Sequence, residues 1–429
     1  MISLRPTFPK LPPRSENLMP KPRLWVVSEL YYPEQTSTGY FLTRIAEGLT
    51  DAFDVQVICG KPSYSERGVV TRRREDRNGT TIHRMRATHF NKDRLVLRAL
   101  NALTLAFTAT VFALRHFQRG DRMLVVTNPP TLPPILGLIA RFKGVSSVLL
   151  VHDVYPEVLV ATKMMRSDGT AFSLASAFFN RTLAGFDRIA VLGRDMQALI
   201  KRKLRAIGAD RPVEIIPNWG DIDEIASIER TANPFAIENG LADKVVIQFS
   251  GNIGRTHDIA LLLEVAKRVE DLTEVVFLFV GYGGQAASVV EHKAANILYL
   301  PRQPRDRLNQ MLACSNLTVI AFKDAMKGVS VPSRMYNVMA AGVPIAAVAE
   351  ADAEVSLTIT ENRAGWHIAP GDADALERLV RDIATPAGRS EAARRGQNAR
   401  AALSRGYTLP HVLDQYRALL SDSEGRLER

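Results

Sequence analysis

The feature that most constrains the fold is an alternation of short apolar runs with amphipathic helical stretches, which occurs twice along the chain. This alternation is typical of parallel α/β architecture, in which each apolar run forms a buried strand and each amphipathic stretch covers the sheet. The predicted strands are residues 24–28, 55–59, 81–85, 123–127, 147–152, 188–192 and 213–216, then 245–250, 275–280, 297–300, 317–320, 344–348 and 365–368. The pattern therefore predicts two separate doubly wound parallel sheets.

The length of 429 residues supports two domains, because a single hydrophobic core rarely grows to that size. The pattern pauses near Trp219, and a polar segment through Asn233 precedes the next strand, so the linker between the domains is expected there. We predict a flexible N-terminal arm (1–22), an N-terminal domain (23–218), a C-terminal domain (219–405) and a C-terminal helix (406–429) that can pack back on the N-terminal domain. Because open α/β sheets bind ligands at the carboxyl ends of their strands, two such sheets are expected to face each other across a cleft that holds the ligand.

The composition indicates a soluble globular protein of the cytoplasm. Hydrophobic residues make up 46% and charged residues 23% of the chain. The two cysteines, Cys59 and Cys314, lie far apart in sequence, so a disulfide framework is not expected and a reducing compartment fits. Residues 1–22 contain no apolar segment of the kind that forms a secretory signal.

The positive charge is concentrated in the first domain. The chain carries a net charge of +10, and residues 1–120 hold 19 lysines and arginines against 10 aspartates and glutamates, which gives +9. Residues 94–119 form a long apolar stretch with arginines at its ends and Arg98 inside it. Strand-like segments on both sides favour a crossover helix over a membrane-spanning one, and such a helix can contact a membrane interface. Nucleic acid is disfavoured because no zinc-finger, aromatic or interleaved basic motif is present, so an anionic membrane surface is the expected partner.

Two loops of the first half are candidates for ligand binding. After the first predicted strand, Ser37, Thr38 and Gly39 open a helix whose free N–H groups can bind an anion or a sugar hydroxyl, although an ordinary capped loop has the same pattern. Another strand ends at His152 and Asp153, which places an imidazole and a carboxylate at a strand terminus. We predict that His152 and Asp153 lie where the reacting group binds.

In the second half, the first predicted strand leads into a glycine-rich loop that contains a cation. Gly251, Asn252, Gly254 and Arg255 precede a helix, and backbone N–H groups together with an arginine are suited to bind a diphosphate. The loop lacks the spacing of a dinucleotide-binding motif and the lysine of a P-loop. Gly283 lies in a second glycine-rich turn, which we expect to border the nucleotide.

The segment from Ser330 through Val331 to Arg334 is the most informative of the C-terminal domain. A loop is predicted at Ser330, a helix with Arg334 one turn in, and a helix end at Gly342. An arginine in the first turn of a helix opposes the helix dipole unless an anion is bound there. This segment therefore predicts a second contact to the same diphosphate.

Taken together, these segments resemble the retaining glycosyltransferases of family 4, which have the GT-B fold of two Rossmann-like domains, and in particular the branch that builds bacterial exopolysaccharide, colanic acid or O-antigen. The resemblance covers nearly the whole chain, from YYPEQTSTGY to WHIAPGD, and is carried by HDVYPE, IPNWGD, SGNIGRTHD and VPSRMYNVMAAGVPI. It implies transfer of a sugar from a UDP- or GDP-sugar with retention of configuration and without a metal or other cofactor. By the same resemblance Gly39 lies near the acceptor and the donor phosphates, His152 near the transferred sugar, Arg255 and Arg334 on the diphosphate, and Glu354 in the donor site.

The sequence departs from this family at four positions. Val329 and Asn337 occupy the positions of two usual glutamates, and Asn252 and His257 those of a usual arginine and lysine. Asn337 can still hydrogen-bond a ribose hydroxyl.

Residues 221–223 form a DxD triplet, a metal motif of another glycosyltransferase fold, which we expect to be solvated because it lies in the linker.

The expected acceptor is a polyprenyl-diphosphate-linked saccharide at the inner face of the plasma membrane, since the basic first domain is suited to an anionic bilayer. Two other functions fit the same residues. A nucleotide-sugar epimerase would act without an acceptor. A non-catalytic sugar-nucleotide-binding scaffold would tolerate loss of His152.

Overall fold

The structure is a computed structural model that describes residues 21–62, 69–90, 94–226, 228–323 and 325–421. Residues 1–20 of the predicted N-terminal arm and the last eight residues of the predicted C-terminal helix lie outside the described residues.

The N-terminal domain contains an eight-stranded sheet in the order β3-β4-β2-β1-β5-β6-β7-β8. Its strands are β1 (Arg23–Val27), β2 (Asp54–Cys59), β3 (Arg74–Arg77), β4 (Thr80–Arg84), β5 (Arg122–Val126), β6 (Ser146–Val151), β7 (Arg188–Val191) and β8 (Val213–Ile215). All neighbouring pairs are parallel except β3 and β4. β3 is not predicted from the sequence, because this edge strand is charged throughout and contains no apolar run.

The helices of this domain lie on both faces of the sheet. They are α1 (Ser37–Gly48), α2 (Leu95–His116), α3 (Leu132–Lys143), α4 (Glu157–Ala161), α5 (Thr170–Ala184) and α6 (Arg194–Arg205). Crossovers between parallel strands are right-handed. The chain passes through α2, α3 and α5 on its way to β5, β6 and β7, which follow one another in the sheet, so these three helices share one face. The helix α1 leads in the opposite direction, to β2, and therefore lies on the other face. The helix α2 packs on α3, and α3 packs on α5.

The C-terminal domain contains a six-stranded parallel sheet in the order β11-β10-β9-β12-β13-β14. Its strands are β9 (Val245–Asn252), β10 (Val275–Tyr282), β11 (Ile297–Leu300), β12 (Leu317–Ala321), β13 (Ile345–Val348) and β14 (Gly365–Ile368). Its helices are α7 (Pro234–Glu238), α8 (Ile259–Arg268), α9 (Ala286–Glu291), α10 (Leu308–Ala313), α11 (Arg334–Ala340), α12 (Glu354–Glu361), α13 (Ala373–Ala384) and α14 (Pro386–Gly406), followed by α15 (Leu409–Ser421). The strand order reverses between β9 and β12, and ligands of such sheets bind at that point. The prediction of two doubly wound parallel α/β domains is confirmed.

The last helix, α15, packs against the N-terminal domain. Arg417 donates a hydrogen bond to the carbonyl oxygen of Gly48 at the end of α1 (3.0 Å), and the Nε of Arg122 donates to the carbonyl oxygen of Leu420 (2.7 Å). Gly48 leaves room for the side chain of Leu413, since a Cβ at position 48 would lie 2.4 Å from it. The chain thus crosses back to the first domain after completing the second.

Apolar packing continues across the boundary between the domains. One hydrophobic cluster includes residues of the first sheet, the linker and α11. Trp219 of the linker is 1% exposed and packs edge-on against Phe41 of α1, with ring centroids 4.6 Å apart. The backbone N–H of Val154 donates to the carbonyl oxygen of Val329 (2.9 Å), which joins the loop after β6 to the loop before α11. These contacts hold the carboxyl ends of the two sheets toward each other.

Candidate active site

A cleft of about 330 Å³ lies between the two domains at the switch point of the second sheet. The first domain contributes the loop before α1, and the second contributes the ends of β9 and β10, the loop after β11, and α11. Among the predicted site residues, the cleft is lined by Ser37, Gly251, Asn252, Arg334 and Asn337. The fold thus brings together residues that are up to 300 positions apart in sequence.

Arg302, Arg305 and Arg334 line the cleft, and Arg334 is the arginine at the end of β9. Its Nη1 donates to the carbonyl oxygen of Ser250 (2.7 Å), its Nη2 donates to Nε2 of His257 (2.6 Å), and its Cζ lies 4.7 Å from the ring centroid of Phe249. Burial lowers the pKa of Arg334 to about 10. No carboxylate among the described residues pairs with this guanidinium, so its charge is available to an anion in the cleft.

The helix that carries Arg334 begins later than the sequence predicted. We expected Arg334 one turn into the helix, but it is the first residue of α11. The reason is that Ser330 forms an extended bridge with Asp153 and the carbonyl oxygen of Val329 accepts from Val154, so these residues cannot be helical. Ser330 and Val331 thereby hold the domains together and do not line the cleft; Val331 is 5% exposed.

His152 is the first residue after β6, and its imidazole lies next to Thr38 in the first turn of α1. Its Nδ1 is 3.4 Å from Oγ1 of Thr38, and its Nε2 has no partner among the described residues. The Oγ1 of Thr127 accepts hydrogen bonds from the backbone N–H groups of His152 and Asp153, which fixes the end of the strand. Burial lowers the pKa of His152 to about 4, so the imidazole is neutral at physiological pH. A neutral imidazole with an unpartnered nitrogen can donate to or accept from a sugar hydroxyl.

Asp153 follows His152 but has a different environment. Burial raises the pKa of its carboxyl group, and a hydrogen bond from Ser330 opposes that effect. Because Asp153 faces the loop before α11, it joins the two domains next to His152 and does not line the cleft.

The loop before α1 closes over the cleft. Oγ of Ser37 lies 2.7 Å from Oγ of Ser333, and Arg302 donates to the carbonyl oxygen of Gln35 (3.2 Å). Gly39 is buried in the first turn of α1, where a Cβ would lie 2.8 Å from the carbonyl oxygen of Glu34. Gly39 therefore permits the tight packing of this loop.

The glycine-rich segments at the ends of β9 and β10 pack directly against each other, and a turn follows each of them. Gly251 and Gly281 remain in their strands and pair with each other, and a Cβ on Gly281, whose φ is 148°, would lie 1.8 Å from the carbonyl oxygen of Gly251. A Cβ on Gly283 would lie 2.4 Å from the carbonyl oxygen of Ile253. Asn252 lines the cleft, whereas Gly254 is buried behind it and Arg255 is exposed in the turn before α8, away from the cleft lining.

Glu354, a predicted donor-site residue, lies outside the cleft lining. It is the first residue of α12 and accepts from the backbone N–H (2.7 Å) and Nε (3.0 Å) of Arg194, the first residue of α6. The carboxylate is 7% exposed. In this position Glu354 joins the two domains through Arg194.

The prediction that the DxD triplet is solvated was wrong for Asp221. Its side chain is 6% exposed, accepts from Oη of Tyr40 in α1 (2.6 Å) and pairs with Arg305 (2.5 Å), which lines the cleft. The guanidinium of Arg305 also stacks on the Tyr40 ring, 3.4 Å from its centroid. Asn337 accepts from the backbone N–H of Asp221 (3.2 Å). This cluster is not predicted from the sequence, because its members come from three distant segments; the closest signal is the aspartate that ends the IPNWGD motif.

The described residues contain no group of three or more histidines, cysteines, aspartates and glutamates that could hold a metal ion. One helix among them, residues 96–116 within α2, is long and apolar enough to cross a membrane by length and composition, and 28% of its most apolar window is buried. This helix connects β4 and β5 of a single sheet, which agrees with a crossover position.

Comparison with known proteins places these features in a family. Residues 233–402 match the family described as "Glycosyl transferases group 1". The chain is 33% identical over 365 residues to WbjE of Pseudomonas aeruginosa, named as a glycosyltransferase, which covers 84% of this chain and 89% of that protein. It is 25% identical over 342 residues to WcaI of Escherichia coli K12, named as a colanic acid biosynthesis glycosyl transferase, with coverage of 76% and 83%.

Solved structures match over nearly the whole chain. Sucrose-phosphate synthase from Thermosynechococcus elongatus has a TM-score of 0.71 at 14% identity and covers 94% of this chain and 100% of that one. HepE from Anabaena, solved in complex with UDP, has a TM-score of 0.65 at 15% identity, with coverage of 93% and 100%. At these identities the likeness establishes the two-domain fold.

Proposed function

The chain belongs to the group 1 glycosyltransferases, and from that premise we propose that it transfers a sugar from a nucleoside-diphosphate sugar to a lipid-linked saccharide, with retention of configuration, during synthesis of a cell-surface polysaccharide. The observation that carries the proposal is the guanidinium of Arg334, which lines the cleft without a carboxylate partner among the described residues. The names of WbjE and WcaI support a role in polysaccharide synthesis.

The donor diphosphate binds at the ends of β9 and α11. The guanidinium of Arg334 stabilises the negative charge that grows on the departing diphosphate, so the reaction proceeds without a metal ion. Gly251 and Asn252 let the diphosphate approach the backbone at the end of β9, and the amide of Asn337 hydrogen-bonds the ribose. UDP in the HepE structure supports UDP-sugars as the first donors to test, with GDP-sugars beside them.

His152 contacts the transferred sugar. The imidazole is neutral, its orientation is fixed by the end of β6, and its Nε2 has no partner within the described part of the chain, so it is suited to hydrogen-bond a donor hydroxyl and not to act as a nucleophile. The acceptor hydroxyl then approaches from the face that the diphosphate leaves, as retention requires.

The acceptor side of the molecule is an apolar face formed by α2, α3 and α5. Side chains at 96, 100, 103, 107 and 114 form one exposed stripe along α2, because spacings of three, four and seven residues return to the same side of a helix. Exposed apolar side chains continue the face on α3, at Leu138 (72%) and Phe142 (81%), and on α5, at Leu174 (73%). Arg94 and Arg98 at the start of α2 are exposed beside this face. We propose that this apolar face docks on an anionic bilayer at the cytoplasmic side of the plasma membrane and receives a polyprenyl-diphosphate-linked acceptor there.

Donor binding and transfer are tested first. Thermal shift across UDP- and GDP-sugars identifies the donor, because a ligand that binds the native state raises its stability. Transfer of labelled sugar to a polyprenyl-diphosphate saccharide then tests the reaction. We expect Arg334→Ala to raise the Kd for the nucleotide strongly, whereas Arg378→Ala, which changes an exposed arginine of α13, leaves the Kd unchanged. Equal binding by both variants would contradict the assignment of the cleft.

Two further outcomes separate the alternative functions. Conversion of the labelled donor without an acceptor would indicate an epimerase. Normal polysaccharide production by a His152→Ala strain would indicate a non-catalytic scaffold.

Membrane docking is tested with vesicles. We expect the protein to sediment with phosphatidylglycerol vesicles, and the double variant Leu138→Ser/Phe142→Ser to remain largely in the supernatant. Val290→Ser serves as the matched control, because Val290 is 62% exposed on α9 of the other domain. Equal sedimentation of all three proteins would refute the assignment of this face.

A further inference from the structure

His257 lies beside Arg334, outside the cleft lining, and its imidazole has a defined tautomer. Its Nδ1 lies 3.1 Å from the carbonyl oxygen of Ala321, and a carbonyl oxygen only accepts, so Nδ1 carries the hydrogen. Nε2 therefore presents a lone pair, and this lone pair accepts the hydrogen bond from Nη2 of Arg334. The ring is neutral, and burial together with the adjacent guanidinium lowers its pKa well below the ordinary value.

Aromatic side chains fix the orientation of the imidazole. The ring stacks on Phe322, with centroids 5.3 Å apart and planes at 12°, and meets Phe249 edge-on at 5.4 Å. The backbone of His257 also bridges Phe322. Because β12 supplies Ala321 and leads directly into Phe322, the imidazole is held by the strand next to β9 at the switch point.

Within the described ranges, the groups that hold Arg334 are all neutral. The guanidinium has five N–H donors, of which one goes to Ser250 and one to His257, and its face lies over Phe249. A carboxylate at position 257 would also fix the arginine, but it would cancel the charge that the diphosphate needs. A neutral acceptor fixes the direction of the guanidinium and leaves its charge and remaining donors to the ligand.

We propose that His257 is a positioning residue of the donor site, which acts as a neutral hydrogen-bond acceptor to aim the guanidinium of Arg334 at the donor diphosphate. This inference rests on the proposed function, since it takes the anion in the cleft to be a nucleoside diphosphate. Under this proposal Arg334 takes the role that the sequence also allowed for Arg255, which is exposed outside the cleft lining.

The affinities of UDP and GDP, measured by calorimetry with the full-length protein, test the proposal. His257→Phe keeps an aromatic ring against Phe322 and removes the acceptor. For whichever nucleotide binds the wild type, we expect this variant to have a Kd roughly 10-fold higher or more. His257→Gln restores an acceptor for Arg334 and a donor for Ala321, and we expect most of the affinity to return. His367→Phe is the matched control, because His367 also bonds a carbonyl oxygen, that of Ala349, but lies on β14 at the far edge of the sheet.

A double variant separates positioning from packing. In an Arg334→Ala background, His257→Phe should cause no further loss, because the residue acts only through the arginine. His257→Lys in the same background should regain affinity, since Nε2 of His257 lies 2.6 Å from the guanidinium and a longer lysine side chain can bring an ammonium group to that place.

The outcomes distinguish the inference from the function beneath it. If the wild-type protein binds neither UDP nor GDP, the proposed function fails and the inference fails with it. If the wild type binds, but His257→Phe binds equally well or loses affinity to the same extent without Arg334, only the inference is overturned. Thermal unfolding shows whether each variant is folded. If His257→Phe is misfolded, the Kd values of His257→Gln and of His257→Lys/Arg334→Ala decide whether the inference holds.

Discussion

The cluster around Asp221 leads to the sharpest prediction about how the two domains are held. One linker carboxylate accepts a hydrogen bond from Tyr40 of the first domain and pairs with Arg305 of the second, and Arg305 lines the cleft. Asp221→Asn keeps the shape of the side chain and an acceptor for Tyr40, but it removes the charge that balances Arg305. The substitution should therefore weaken both the contact between the domains and the geometry of the cleft.

The size of the effect follows from the burial of the pair. Breaking a fully buried ion pair costs about 3–5 kcal/mol, and an exposed pair contributes about 1 kcal/mol or less. Asp221 is 6% exposed in its side chain and Arg305 31%, so solvent screens one partner in part. We expect the free energy of unfolding to fall by about 2 kcal/mol and the Kd for the nucleotide to rise several-fold.

A second ion pair in the first domain provides the control. Glu75 and Arg84 lie 2.8 Å apart with side-chain exposures of 29% and 0%, on the strands β3 and β4 at the edge of the sheet. Glu75→Gln should cost a similar free energy of unfolding and leave the Kd unchanged. Urea unfolding and calorimetry measure the two quantities. If both variants change the Kd equally, or if Asp221→Asn is as stable as the wild type, the reasoning about the linker is refuted.

Two further predictions concern stability. Because burial lowers the pKa of His152 to about 4, the native protein binds fewer protons than the unfolded chain below pH 6.5, so this histidine removes stability as the pH falls, by about 3 kcal/mol at pH 4. His152→Asn should flatten the pH dependence of urea unfolding between pH 6.5 and 4, and an unchanged slope would contradict the burial of the neutral ring. Gly281→Ala should lower the free energy of unfolding by more than about 2 kcal/mol, because its Cβ would overlap the carbonyl oxygen of Gly251 and its φ of 148° strains any other residue. Gly240→Ala, at a φ of 65° with open space around it, is the control for backbone strain alone, and an equal loss in both variants would exclude the close strand contact.

Periodicity in the sequence determined the architecture. The central apolar runs, such as those of β1, β5 and β12, are buried on both faces as strands of a parallel sheet, and this requirement is local, so it can be read from consecutive residues. The same reasoning placed His152 after β6 and the Gly251 segment after β9, because ligand-binding residues of α/β sheets follow strands. The cleft between two doubly wound sheets could therefore be predicted without coordinates.

The partner of each charged side chain was decided only by the tertiary structure. Arg255 and Arg334 were equivalent candidates in sequence, yet Arg334 lines the cleft and Arg255 is exposed outside it. Glu354 was expected at the donor and instead pairs with Arg194, which lies 160 residues earlier. Asp221 was expected in solvent and is nearly buried between residues of both domains. Periodic patterns report the burial of a segment, whereas an ion pair depends on the distance between segments that the chain brings together only after both sheets have formed.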